Sequence, residues 1–149
     1  MSVLTNDIIL EGIRRDDVLA WLADPAHHER LLQGAFDGLS AEGPGRYTVH
    51  VKAPPHAREM TYRFERVDEE HGGRRVHVTL GGKRTSGNLH YSLRTVKPAA
   101  NTLVTVHVDL QGGGILGQVI EMAGLRKRLE EGFRAVLTNL QRELVHTQS

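Results

Sequence analysis

Apolar and polar residues alternate at every second position from Gly45 to Leu110, and from Ile115 to Val145 the repeat turns helical. In the first stretch Tyr47, Val49 and Val51 share one face, followed by Met60, Tyr62 and Phe64; Val76, Val78 and Leu80; Leu89, Tyr91 and Leu93; and Val104, Val106, Val108 and Leu110. Strict alternation predicts strands with one buried and one wet face, the habit of antiparallel sheets. The connections are short and rich in turn residues: Pro54-Pro55, His71-Gly72-Gly73, Gly81-Gly82-Lys83 and Lys97-Pro98 to Asn101. In the second stretch Ile115, Val119, Met122, Leu129, Phe133, Val136, Leu140 and Leu144 recur at steps of three, four or seven and form one apolar stripe. About 30 residues at 1.5 Å per residue give a helix roughly 45 Å long. Gly117, Gly124 and Gly132 interrupt it, each at a cost of about 1 kcal/mol against alanine, and mark kinks, close contacts or room for a ligand.

Upstream, Val3 to Leu10 reads as a first strand. Asp16-Asp17 place negative charge in the first turn of a helix carrying Val18, Leu19 and Leu22, which ends at Asp24-Pro25 because the residue before proline avoids the α region. A second short helix covers about Ala26 to Leu32, and Gly34, Gly38 and Gly43-Pro44-Gly45 frame a short strand and a hairpin. The expected fold is α+β: a curved seven-stranded antiparallel sheet around a long C-terminal helix, with two short helices after the first strand.

The order of elements resembles the START-like, or SRPBCC, helix-grip superfamily. Val18-Leu19-Ala20-Trp21-Leu22-Ala23-Asp24-Pro25 looks like the first-helix signature of those proteins, and Leu31-Leu32-Gln33-Gly34 like the passage into their second strand. The resemblance covers almost the whole chain. It implies a helix-grip fold with an apolar cavity, in a superfamily of polyketide cyclases and aromatases, lipid and sterol carriers, hormone receptors and chaperone activators.

The chain has 149 residues, enough for one domain over 1–149 with a real core. Nineteen basic against 18 acidic side chains give a net charge of +1, so no electrostatic footprint for nucleic acid is expected. The absence of cysteine excludes disulfides and thiolate metal sites and fits a cytoplasmic protein. No signal-peptide pattern and no apolar run of roughly 18 residues is found, so no integral membrane association is expected.

Candidate chemistry is sparse. Gly112-Gly113-Gly114-Ile115-Leu116-Gly117 fits GxGxxG, but the second parallel strand of a dinucleotide site is missing, and it reads as a flexible strand-to-helix connection, with a hinge over a cavity mouth as the functional alternative. His77, His90 and His107 lie on the polar face of three consecutive strands. Two-residue hairpins would pair 77 with 90 and 90 with 107, lining up three imidazoles about 4.5–5.5 Å apart at Cβ. They read as outer-face polar residues, with a shared Zn²⁺ or Cu²⁺ as the alternative. His27-His28-Glu29-Arg30 lacks HExxH spacing and reads as a solvated helix face, as does Arg126-Lys127-Arg128.

Tyr47, Tyr62 and Tyr91 are the hydroxyls on the inferred concave face of the five alternating strands, either core tyrosines bonded to backbone or handles for a ligand's polar group. No metal, cofactor or catalytic set is expected. The site expected is a ligand-binding one, lined by Tyr47, Val49, Tyr62, Phe64, Val78, Tyr91 and Val106 with Val119 and Met122 of the long helix. Its expected occupant is a hydrophobic or amphipathic small molecule such as a lipid, an isoprenoid or a polyketide-like chain. Two alternatives stay open: a polyketide cyclase/aromatase-type enzyme and a protein-interaction module of the chaperone-activator kind.

Overall fold

The computed structural model describes residues 2–53, 56–69, 74–82, 85–97, 100–112 and 116–148, without side-chain detail at 2, 53, 56–57, 85, 112, 116–123 and 147–148. The elements run β1 (Ser2–Leu10), α1 (Arg15–Leu22), a single 3-10 turn (Pro25–His27), α2 (His28–Leu32), β2 (Gly38–Gly43), β3 (Arg46–Ala53), β4 (His56–Asp68), β5 (Arg74–Gly82), β6 (Thr85–Val96), β7 (Asn101–Gly112) and α3 (Leu116–Gln148). All seven strands join one antiparallel sheet in the order β1-β7-β6-β5-β4-β3-β2. Six strands therefore follow one another in space as in sequence, and β1 returns to pair with β7, Ser2 opposite Leu110 and Leu10 opposite Thr102. This is the expected helix-grip arrangement.

The period-two pattern sorts the side chains as expected. Tyr47, Val49, Val51, Met60, Tyr62, Val76, Val78, Leu80, Leu89, Tyr91, Leu93, Val104, Val106, Val108 and Leu110 are all buried on the concave face. Removing each large apolar side chain from water contributes about 1.5–3 kcal/mol before chain entropy is counted. One irregularity resets the alternation. A bulge between Phe64 and Arg66 leaves Glu65 and Arg66 exposed and returns Val67 to the edge of the core.

Helices cover the concave face from two sides. On α1 the residues Val18, Leu19, Trp21 and Leu22 are buried, and the helix lies against β5, β6 and β7. Asp24 ends this segment and starts the next, its Oδ1 accepting the Ala26 amide at 3.0 Å ahead of the 3-10 turn. The α3 helix lies against β1, β3, β7 and α2, burying Leu129, Phe133, Val136, Leu137, Leu140 and Leu144. Polar clasps fix its position. The Asn139 amide donates to the carbonyls of Leu31 and Gln33 at 2.9 and 3.1 Å. Arg126 donates to the Val3 carbonyl at 2.9 Å, and Asn6 to that of Glu130 at 3.3 Å.

Arg128 departs from the expectation of a solvated basic cluster. Its guanidinium binds the Asp37 carboxylate at 3.2 Å and lies 5.7 Å from the centre of the Phe36 ring. The same Asp37 oxygen accepts the Lys52 amide at 2.7 Å. That amide and the Arg128 charge hold the Asp37 carboxyl below the usual carboxylate range. The reason is packing: Phe36 must cover α3 to complete the core, and Arg128 closes over it.

Candidate functional site

One connected group of polar side chains on the concave face lies above β5. Tyr62 on β4 stands opposite Leu80 and Tyr91 on β6 stands opposite Val76, with Val78 between those two positions on the intervening strand. Both rings lean over β5, and their hydroxyls meet at 2.7 Å. The third member comes from α2. His28 is fully buried, its Nδ1 2.6 Å from the Tyr62 hydroxyl and its Nε2 2.7 Å from the Leu22 carbonyl. Phe64, half-buried, sets an edge-on contact with the imidazole at 5.2 Å between ring centres.

The chemistry of the partners fixes the direction of this chain. A carbonyl only accepts, so His28 carries its proton on Nε2 and donates it to Leu22. Nδ1 is then a bare lone pair and accepts from the Tyr62 hydroxyl. The Tyr62 proton being committed, its oxygen accepts from Tyr91. Burial keeps every member uncharged. It pushes the His28 imidazole down to about 4, against the opposing pull of the Leu22 carbonyl, and raises both phenols, that of Tyr62 further because Tyr91 lies beside it.

His28 corrects the expectation of a solvated His27-His28-Glu29-Arg30 face. Glu29 and Arg30 are exposed as expected, but His27 stacks on Trp21 at 4.6 Å and His28 points inward. The signal was present in the spacing: His28, Leu31 and Leu32 stand at positions i, i+3 and i+4 of one helical face.

Tyr47 takes the role of a core tyrosine. Its hydroxyl donates to the Pro25 carbonyl at 2.8 Å and accepts the Gly45 amide at 3.2 Å, tying the β2–β3 hairpin to the 3-10 turn. Gly45 allows this closeness. Its φ is +82°, and a Cβ there would lie 2.9 Å from the Pro25 Cβ. Val49, Val78 and Val106 are buried on the same face as the tyrosines. Val119 and Met122 lie on the first turns of α3, outside the described side chains, and of the connection expected at 112–117, residues 113–115 lie outside the described residues.

On the opposite face the histidine register is as expected. His77 pairs with His90 and His90 with His107, their ring centres 5.9 and 5.0 Å apart. Burial, and then the neighbouring His107, lower His90 to about 4; burial and the Arg66 charge lower His77. Among the described residues no three histidine or carboxylate side chains converge on a metal position.

Comparison with known proteins agrees with this architecture. The protein TTHA0849 from Thermus thermophilus superposes with a TM-score of 0.71 at 12% identity, covering 99% of this chain and 100% of that one. A START superfamily protein from Mycobacterium smegmatis gives 0.63 at 10% identity, over 97% and 98% of the two chains. The Zhui aromatase/cyclase from a Streptomyces species gives 0.60 at 13% identity, over 96% and 95%. At such identities the likeness is one of fold. No curated protein matches the sequence. The match that reaches the sequence itself covers residues 8–145, and by it the chain belongs to the polyketide cyclase/dehydrase and lipid transport family.

Proposed function

We propose that the protein binds and carries a neutral hydrophobic or amphipathic small molecule, held between the concave face of the sheet and α3. The family's description spans both cyclase chemistry and lipid transport. What favours transport is the state of the His28–Tyr62–Tyr91 chain. A general acid or base works best with a pKa near the operating pH. Here burial moves the imidazole far below neutrality and lifts both phenols further above it, and Nε2 of His28 is spent on a backbone carbonyl. Such a chain orients a ligand and does not exchange protons with it.

The remainder of the concave face suits an apolar guest. Val49, Val51, Val76, Val78, Val104, Val106 and Val108 are short side chains on a curved sheet. Burying apolar ligand surface contributes about 25 cal/mol per Å² before association costs, so binding needs no further polar contact. Among the described residues no helix is long and apolar enough to cross a membrane. A chain without cysteine suits a reducing compartment, and we assign the carrier to the cytoplasm.

Titration with the neutral fluorescent hydrophobe N-phenylnaphthylamine tests the reading. Wild type is expected to bind it saturably, and Val106→Phe to weaken binding at least tenfold while lowering stability by no more than about 1–3 kcal/mol, the usual cost of overpacking. Absence of saturable binding, together with native mass spectra free of any co-purifying small molecule, would overturn it.

A further inference from the structure

The polar chain has a direction, and the direction selects a ligand. We infer that Tyr91 presents a hydrogen-bond acceptor to the bound molecule, so that the preferred ligand is a hydrophobe ending in a hydroxyl and not in an ether, ketone or carboxylate. This rests on the carrier reading above and specifies its ligand class.

The Leu22 carbonyl can only accept, which places the His28 proton on Nε2 and makes Nδ1 an acceptor. Nδ1 takes the Tyr62 proton, and the Tyr62 oxygen takes that of Tyr91. Every proton in the chain is thus committed inward, toward α2. What remains at the outer end is the lone-pair side of the Tyr91 oxygen, which among the described residues receives no donor. Tyr91 is fully buried, its backbone standing opposite Val76 on β5 and Val106 on β7.

A ligand hydroxyl docking there donates into a chain already aligned to receive it. A ligand ether or ketone meets lone pairs with lone pairs, and gains a bond only if Tyr91 abandons Tyr62. A carboxylate fares worse. Besides the tyrosines, the buried polar side chains among the described residues are His28, Thr102 and Asn139, and the one that could be cationic, His28, is held neutral by its place in the chain.

Displacement of N-phenylnaphthylamine by three matched chains reads this out: decanol, its isomer methyl nonyl ether, and decanoate. Wild type is expected to prefer the alcohol over the ether by about five- to tenfold, the worth of one neutral hydrogen bond in a dry site, with decanoate weakest. In Tyr91→Phe the alcohol-to-ether ratio should fall to near one. In Tyr62→Phe the Tyr91 proton is released from its inward bond, and the ratio should move toward the ether. A merely structural role for the chain predicts no such shift. Thermal melts verify that each variant is folded, and the wild-type ratio stands even where a variant is not. Equal affinities for alcohol and ether in wild type, or tightest binding of decanoate, would overturn the inference and leave the carrier intact. Failure of wild type to bind any of these molecules, the fluorescent probe included, together with native mass spectra free of any co-purifying small molecule, would overturn both.

Discussion

The neutrality of His28 has a consequence for acid stability. In the unfolded chain the imidazole titrates near its ordinary 6.5, and in the fold near 4. Between those values the unfolded state binds more protons, so stability falls as pH falls through that window. Its contribution is complete above about pH 6.5, and about 3 kcal/mol is lost by pH 4. Denaturant melts across this range should show the slope, and His28→Asn, though less stable at neutral pH, should flatten it. An unchanged slope in that variant would assign the acid sensitivity elsewhere. His90 acts in the same direction and more weakly, being partly exposed to solvent on the outer face.

Gly132 sets two effects against each other. Alanine is better than glycine in a helix by about 1 kcal/mol. Yet a Cβ at this position would overlap the Phe36 ring, within 2.6 Å of its Cδ1 and Cζ. The ring is hemmed in by Phe133 at 5.3 Å on one side and Arg128 on the other. Gly132→Ala is therefore expected to destabilise by about 1–3 kcal/mol net, as overpacking does, and a gain in melting temperature would show that Phe36 moves freely. In the sequence this glycine could be read as a kink, a contact or a ligand space. Nothing local distinguishes these, because the residue that needs the room, Phe36, lies in a different segment.

Among the elements, α3 carries its stripe as the spacing requires. Phe133 stands at its middle, fully buried, and Phe133→Ala should cost about 3–5 kcal/mol in denaturant melts. A loss below about 1 kcal/mol would mean that this face is not the core. The stripe and the strand alternation were legible because burial on one face writes a period directly into the chain. The histidine row was legible for a related reason: short hairpins turn sequence separation into register by arithmetic. The bulge in β4 was not, because Glu65 and Arg66 are both polar and the pattern resumes only at Val67. His28 was legible only through its spacing with Leu31 and Leu32, because a run of four polar residues otherwise resembles a wet surface until Tyr62 and Leu22 are placed beside it.

For the molecule as a whole, the order of strands in space differs from their order in the chain at one point only. Each of β2 to β7 lies beside its neighbour in sequence, so these pairings form by closing short turns. β1 is joined to β7, with Thr5 opposite His107 across most of the chain. Closing so long a loop is entropically slow, and long-range strand pairing retards folding generally. Time enters through the ribosome. Of the seven strands, the first to leave it is the one whose partner is made last, so Leu4, Ile8 and Leu10 wait with their edges unpaired while six further strands are synthesised. The strand made before all the others is thus the one longest in need of shelter during the protein's birth.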